Sequence, residues 1–147
     1  MKRTVLFTLL ILVISVGLAQ TSGKQVITSD KAPKISGPYS QAILTGNTLY
    51  LSGQIAIIPE TGKMDTMDIR SEVRRVLGNI GIVLNAAGMS YNNVVKTTIF
   101  TTDLRNYLII NSICGEFFKE KFPARETIQV EALPGMVKPT SRYQLWR

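Results

Sequence analysis

The chain has 147 residues, with 17 Lys and Arg against 10 Asp and Glu for a net charge of +7, a single cysteine and no histidine. That length suits one domain built around one core. The lone Cys114 excludes an intramolecular disulfide, and without histidine no zinc or copper cluster of the usual ligands can be assembled, so no metal is expected. The basic residues are scattered, with Lys24, Lys31 and Lys34 early, Arg74 and Arg75 midway, and Arg142 and Arg147 at the end. They form no stripe interleaved with aromatics, so no nucleic-acid footprint is expected.

Lys2 and Arg3 precede an apolar run from Val5 to Leu18, with small residues at Gly17 and Ala19 just before Gln20. This is the charged, apolar and small-residue order of a secretory signal peptide. The alternative is a retained anchor, for which the run is short of the roughly 20 residues a spanning helix needs. The expectation is therefore a leader over 1–19, a single domain over 20–147, export after cleavage and no membrane association of the mature chain.

Lys24 to Thr28 reads as a short first strand, followed by a Pro- and Gly-bearing loop from Ala32 to Tyr39. Ala42 to Thr45 and Thr48 to Ile57 then form a hairpin around Gly46-Asn47. From Asp68, apolar residues recur at three- and four-residue spacing through Val73, Val76, Leu77, Ile80, Val83 and Leu84, an amphipathic helix that Gly88 ends. Val94 to Thr101 is β-branched and alternating, hence a strand. Asp103 or Asn106 can cap a second helix reaching toward Pro123, and Thr127 to Leu133 is the next strand, closed by Pro134-Gly135. These elements predict an α+β domain, a mixed β-sheet with two helices on one face. The other face of such a sheet calls for a partner, so a homo-oligomer is expected.

Cys114 falls in the second helical pattern beside Ile113 and Phe117, where a buried, inert thiol is expected. Arg125 follows Phe122-Pro123-Ala124, and its guanidinium is a fork for a planar carboxylate. An arginine at a strand entrance also serves as a surface charge paired with Glu126 or Glu120. Tyr39 projects from the turn that Gly37-Pro38 sets, or is half-buried with its hydroxyl bonded to backbone. Gly53, in Ser52-Gly53-Gln54, permits close approach of backbone N–H groups to a ligand, or marks a plain bulge. Asn111 lies on a helix face, where an asparagine is usually solvated or bonded locally.

Taken in order, Gly37-Pro38-Tyr39-Ser40-Gln41-Ala42, Ser52-Gly53-Gln54 and Pro123-Ala124-Arg125 resemble the reactive intermediate deaminase (Rid/YjgF) family from about Val26 to Leu133. The resemblance implies a chorismate-mutase-like fold assembled as a homotrimer, with sites between subunits. It implies hydrolysis of 2-imino and enamino acids to 2-keto acids and ammonia, the activity of a 2-iminobutanoate/2-iminopropanoate deaminase, without a cofactor. It also implies Arg125 on the substrate carboxylate, Arg125 and Tyr39 as catalytic residues, Ser52, Gly53 and Asn111 lining the pocket, and the backbone at Thr127 helping to hold substrate. Thr127 stands where family members often carry a cysteine.

The tail over 139–147 departs from the family pattern. Aligned by Pro134, Thr140 stands where the resemblance places a water-activating glutamate, which points to weakened catalysis or to a small-carboxylate-binding or holdase-like protein of the same fold. With permitted codons, Pro139 to Trp146 reads in another frame as aspartate, valine, glutamate, isoleucine, serine, alanine, leucine, alanine. That sequence would supply an alternating strand and its glutamate; with a real shift the chain as written would leave a sheet edge unpaired, whereas a genuine divergent tail would still pack Tyr143, Leu145 and Trp146 as an irregular final strand.

Overall fold

A computed structural model describes residues 23–65 and 67–134 and the backbone of 143–146. The expected leader, and Thr140 at the place of the expected glutamate, lie outside the described residues. Among the described residues six strands and two α-helices follow in the order β1 (Gln25–Ile27), β2 (Ala42–Thr45), β3 (Thr48–Leu51), α1 (Ile69–Ala86), β4 (Lys96–Thr101), α2 (Tyr107–Phe117), β5 (Ala124–Gln129) and β6 (Tyr143–Trp146). The α+β class agrees with the expectation.

The strands form two three-stranded sheets where one mixed sheet was expected, an antiparallel β1-β2-β3 and a mixed β5-β4-β6. Gly46 at φ 53° starts the β2-β3 turn, the sign required at the first central position of a tight hairpin. β3 ends at Leu51, well before the predicted Ile57, which forms an isolated bridge with Met64 instead. The amide of the buried Asn79 on α1 donates to the carbonyls of Ile55 and Ile57 at 3.2 and 2.8 Å. The gap between β3 and β4 holds a cavity of about 250 Å³ walled by residues such as Leu49, Leu51, Ile80, Leu84 and Val94.

In the second sheet β4 runs parallel to β5 and antiparallel to β6. Of the two expectations for the tail, the final strand is the one seen: Thr98–Thr101 is not a bare edge but pairs with Tyr143–Trp146. Tyr, Leu and Trp are good strand formers, and an open row of backbone groups on β4 gives them a template. β5 begins at Ala124, earlier than Thr127, since the Ala124 N–H already donates to the Val95 carbonyl at 3.0 Å.

Asp68 caps α1 by accepting from the Ser71 N–H at 2.8 Å, and Gly88, at φ 70°, ends it in the left-handed conformation. Asp103 caps a single 3₁₀ turn over Leu104–Asn106 that leads into α2. α2 stops at Phe117, short of the predicted reach to Pro123, because Phe118 is extended and Lys121 takes φ 51°.

Val73, Val76, Leu77, Ile80, Val83 and Leu84 of α1 and Ile110, Ile113 and Cys114 of α2 share one core with Ile27, Ala42, Leu49 and Ile99. β4 alternates accordingly, with Thr97, Ile99 and Thr101 buried and Lys96 exposed. On the opposite face of the first sheet, Val26, Ile43 and Tyr50 lie side by side across three strands. Val26 and Tyr50 are more than half exposed, so this outer face is an apolar surface.

The Tyr91 hydroxyl donates to the Leu77 carbonyl and lies over Gly81, where an added Cβ would come within 2.5 Å of the hydroxyl oxygen. Burial pushes the Tyr91 pKa up to about 12, so the phenol remains a donor at neutral pH. Gly78, one turn earlier, has no atom within 4 Å of such a Cβ. Gly78→Ala should therefore stabilise the protein by up to about 1 kcal/mol through helix propensity. Gly81→Ala should destabilise it by about 1–3 kcal/mol through overpacking, with part of that loss recovered in a Tyr91→Phe background. Urea unfolding of the four variants measures this; equal effects at the two glycines would exclude the contact.

Candidate functional site

The early start of β5 places Arg125 inside a strand, opposite Thr97 of β4 in the parallel register. Its side chain reaches α2. Arg125 Nη2 donates to Asn111 Oδ1 at 2.7 Å and to the Tyr107 hydroxyl at 3.3 Å, and its Cζ lies 5.8 Å from the Tyr107 ring centroid. A guanidinium has five N–H donors, so most of the fork is left for an incoming group. Neither acidic neighbour weighed from the sequence is its partner. Glu126 pairs instead with Lys96 at 2.7 Å, and among the described residues Arg125 makes no ion pair. An exposed cation held by two neutral groups is suited to an external anion.

Arg125 opens onto a cleft of about 380 Å³ that runs from Thr97 and Asn111 past Cys114 and Gly115 to Phe118 and Phe122. Asn111, expected on a helix face, is thus a positioning residue for the guanidinium. Cys114 is buried, as expected, but lies at the cleft wall. Burial raises its thiol pKa, while the charge of Arg125 and a hydrogen bond to it act the other way. Thr127, two residues from Arg125 on the same face of β5, pairs opposite Ile99.

The other predicted residues gather elsewhere. Tyr39 is about half exposed on the loop after Gly37 and lines a second cavity, of about 200 Å³, with Gly53, Gln54, Ile55 and Pro134. Ser52 ties this region together: its hydroxyl donates to the Ser40 carbonyl at 2.6 Å and its N–H to the Gln41 carbonyl at 3.0 Å. The two cavities share no lining residue, so a single chain does not bring Tyr39 and Gly53 together with Arg125 and Asn111.

Several contributors escaped the sequence reading. Gln41 is buried, accepts from the Ser29 N–H at 2.6 Å and donates to the carbonyls of Ser29 and Pro33, which fixes the loop bearing Tyr39. Its place in the Gly37–Ala42 segment that carries the family resemblance was its only signal. Tyr107, Cys114 and Gly115 were hidden because they lie on a helix whose packing partner is a later strand.

Against known proteins, a family model described as Endoribonuclease L-PSP matches residues 29–138. The human 2-iminobutanoate/2-iminopropanoate deaminase is 43% identical over 111 residues, 76% of this chain and 81% of that protein. Among solved structures, YyfA of Yersinia pestis, a member of the conserved Rid protein family, superposes with a TM-score of 0.79 at 43% identity over 84% of this chain and 96% of that one. TdcF of E. coli with bound serine gives 0.76 at 33% identity over 83% and 94%. With three-quarters of its length inside the family model and this identity to curated members, the chain belongs to the reactive intermediate deaminase (Rid/YjgF) family.

Proposed function

We propose that this protein hydrolyses 2-imino acids to 2-keto acids and ammonia, and that its sites form between copies of the chain. The observation carrying this reading is the Arg125 guanidinium, held by Asn111 and Tyr107 at the mouth of a cleft with no internal carboxylate partner among the described residues. A 2-imino acid has a carboxylate for that fork and an adjacent carbon already electrophilic toward water. Addition of water to the C=N bond gives a carbinolamine; transfer of a proton to nitrogen and loss of ammonia leave the keto acid. Clamping the carboxylate orients that carbon, which is the part of catalysis such a site supplies directly.

The Tyr39 and Gly53 cluster supports a shared site, since it pairs with Arg125 only if a second copy supplies it. The apolar row Val26, Ile43 and Tyr50 and the exposed edge strand β5 offer surfaces for that association. We assign a homotrimer, and export through the leader over 1–19. One observation favours a second reading, a carboxylate binder with weak turnover: Glu126 is tied to Lys96, and among the described residues no carboxylate lines the Arg125 cleft. A missing acid/base would lower the rate by about 10²- to 10⁴-fold without removing binding.

Arg125→Ala should weaken binding of 2-keto or 2-imino carboxylates by at least about thirtyfold through loss of charge-assisted hydrogen bonds, with fold and assembly intact. Arg125→Lys should rescue poorly, because an ammonium lacks the planar fork. Calorimetry with pyruvate decides this, and full affinity in the alanine variant rejects the site.

Mixing unfolded Arg125→Ala and Tyr39→Ala chains and refolding them together should restore up to about a quarter of the sites, since a random assembly rebuilds clefts with both native halves. Assay of ammonia release from freshly generated 2-iminobutanoate measures it; activity no greater than that of the separate variants rules out sharing.

The mature protein from its native host should begin at Gln20 by intact mass. A full-length cytoplasmic species would sink the export assignment.

A further inference from the structure

We infer that Tyr107 is a substrate-binding residue: its hydroxyl yields the Arg125 guanidinium to an incoming 2-imino or 2-oxo carboxylate and donates its own hydrogen to that carboxylate. The inference rests on Arg125 as the proposed carboxylate clamp. It concerns three side chains, Tyr107, Asn111 and Arg125, whose mutual contacts all lie within one chain.

A guanidinium pairs bidentately with a carboxylate along one of two edges, Nε with Nη2 or Nη1 with Nη2, because Cδ blocks the third. Both usable edges include Nη2. Two internal ion pairs use the first of them: Arg74 meets Glu116 through Nε and Nη2 at 2.9 and 2.7 Å, and Arg105 meets Asp103 through the same two nitrogens at 2.9 Å each.

In Arg125 this nitrogen is already engaged. Nη2 carries two hydrogens and has two acceptors, Asn111 Oδ1 at 2.7 Å and the Tyr107 hydroxyl at 3.3 Å. A bidentate ligand therefore displaces one of them. The Asn111 bond is short, whereas the Tyr107 contact is longer than the usual N–H···O distance of about 2.9–3.0 Å, so Tyr107 is the partner that yields. Cys114, whose thiol also bonds the guanidinium, is only a weak sulfur acceptor and does not compete with a carboxylate.

Tyr107 has the chemistry to remain in the complex after yielding. A phenol both accepts and donates; here it accepts from Arg125, and among the described residues its own hydrogen meets no acceptor. Tyr107 is the first residue of α2 and is 41% exposed, so its side chain is not locked by packing. Two oxygens joined by a hydrogen bond lie about 2.7 Å apart, and a displacement of that order exchanges Nη2 for a carboxylate oxygen. In the resulting arrangement Nη2 serves Asn111 and the ligand, and the hydroxyl serves the ligand.

Calorimetry with pyruvate tests this on the native protein and on Tyr107→Phe, which keeps the ring and removes the hydroxyl. Two further replacements at position 107 separate donating from holding: O-methyltyrosine accepts from Arg125 but has no hydrogen to give, and 4-aminophenylalanine retains hydrogens to give. Affinity should fall about tenfold with phenylalanine and with O-methyltyrosine and stay within about threefold of native with 4-aminophenylalanine, all with native melting temperatures. A Tyr107→Phe protein that binds as well as the native one, or better, overturns the inference, because the hydroxyl is then only a competitor for Nη2. Native affinity with O-methyltyrosine also overturns it, because holding Arg125 then suffices, and so does a tenfold loss with 4-aminophenylalanine. Loss of binding in Arg125→Ala beside native binding in Tyr107→Phe keeps the clamp and rejects the role of Tyr107. Full binding in Arg125→Ala rejects the clamp itself, and the inference with it.

Discussion

The parallel ladder between β4 and β5 is the constraint from which the site follows. Two parallel neighbours cannot be joined by a tight turn, so the chain between Thr101 and Ala124 must cross over the sheet, and α2 is that crossover. The helix then lies against the face from which alternate β5 side chains project. Arg125 is one of these, which is why Asn111 and Tyr107, more than a dozen residues earlier, can hold it. Moving β5 by one residue would turn the guanidinium to the opposite face and empty the cleft of its cation.

The electrostatic arrangement keeps that cation available. Other arginines are spent on internal pairs, Arg74 with Glu116 at 2.7 Å and Arg105 with Asp103 at 2.9 Å. Those contacts are exposed and contribute little to stability. They do consume nearby carboxylates, as Lys96 consumes Glu126, and so leave the cleft without an internal competitor for a bound anion. Asn111 can orient the guanidinium because its amide oxygen is neutral; an aspartate there would neutralise the charge that a carboxylate ligand needs.

Much of the fold was legible in the sequence, for reasons that are local. The α1 periodicity, the Gly88 stop and the Gly46 hairpin each state their geometry within a few residues. The errors came where distant partners decide. β3 ended early, with the segment beyond it tied to the buried Asn79 of α1 through the Ile55 and Ile57 carbonyls, and β5 began early because Val95 offers a carbonyl to Ala124. The candidate site, expected between subunits, is divided between two cavities of the single chain. Arg125 and Asn111 were read from a family resemblance and do meet; Tyr39 and Gly53 were read with them and lie in another cavity. The wall formed by Cys114 and Gly115 had no sequence signal, because a small residue on a helix acquires meaning only from the strand packed across it.

The same dependence on distant partners bears on catalysis. A carboxylate clamp and an electrophilic imine suffice for binding and for slow hydrolysis, since orientation lowers the barrier without any proton being moved. Faster turnover requires a group that removes the proton of the attacking water within hydrogen-bond reach. Among the described residues no carboxylate lines the Arg125 cleft, and Glu131, the nearest beyond β5, is exposed. On the proposed reading, binding and turnover would therefore rest on different elements. The β4-β5 register and α2 fix Arg125, whereas a proton-transfer group for the proposed hydrolysis would have to come from outside that unit.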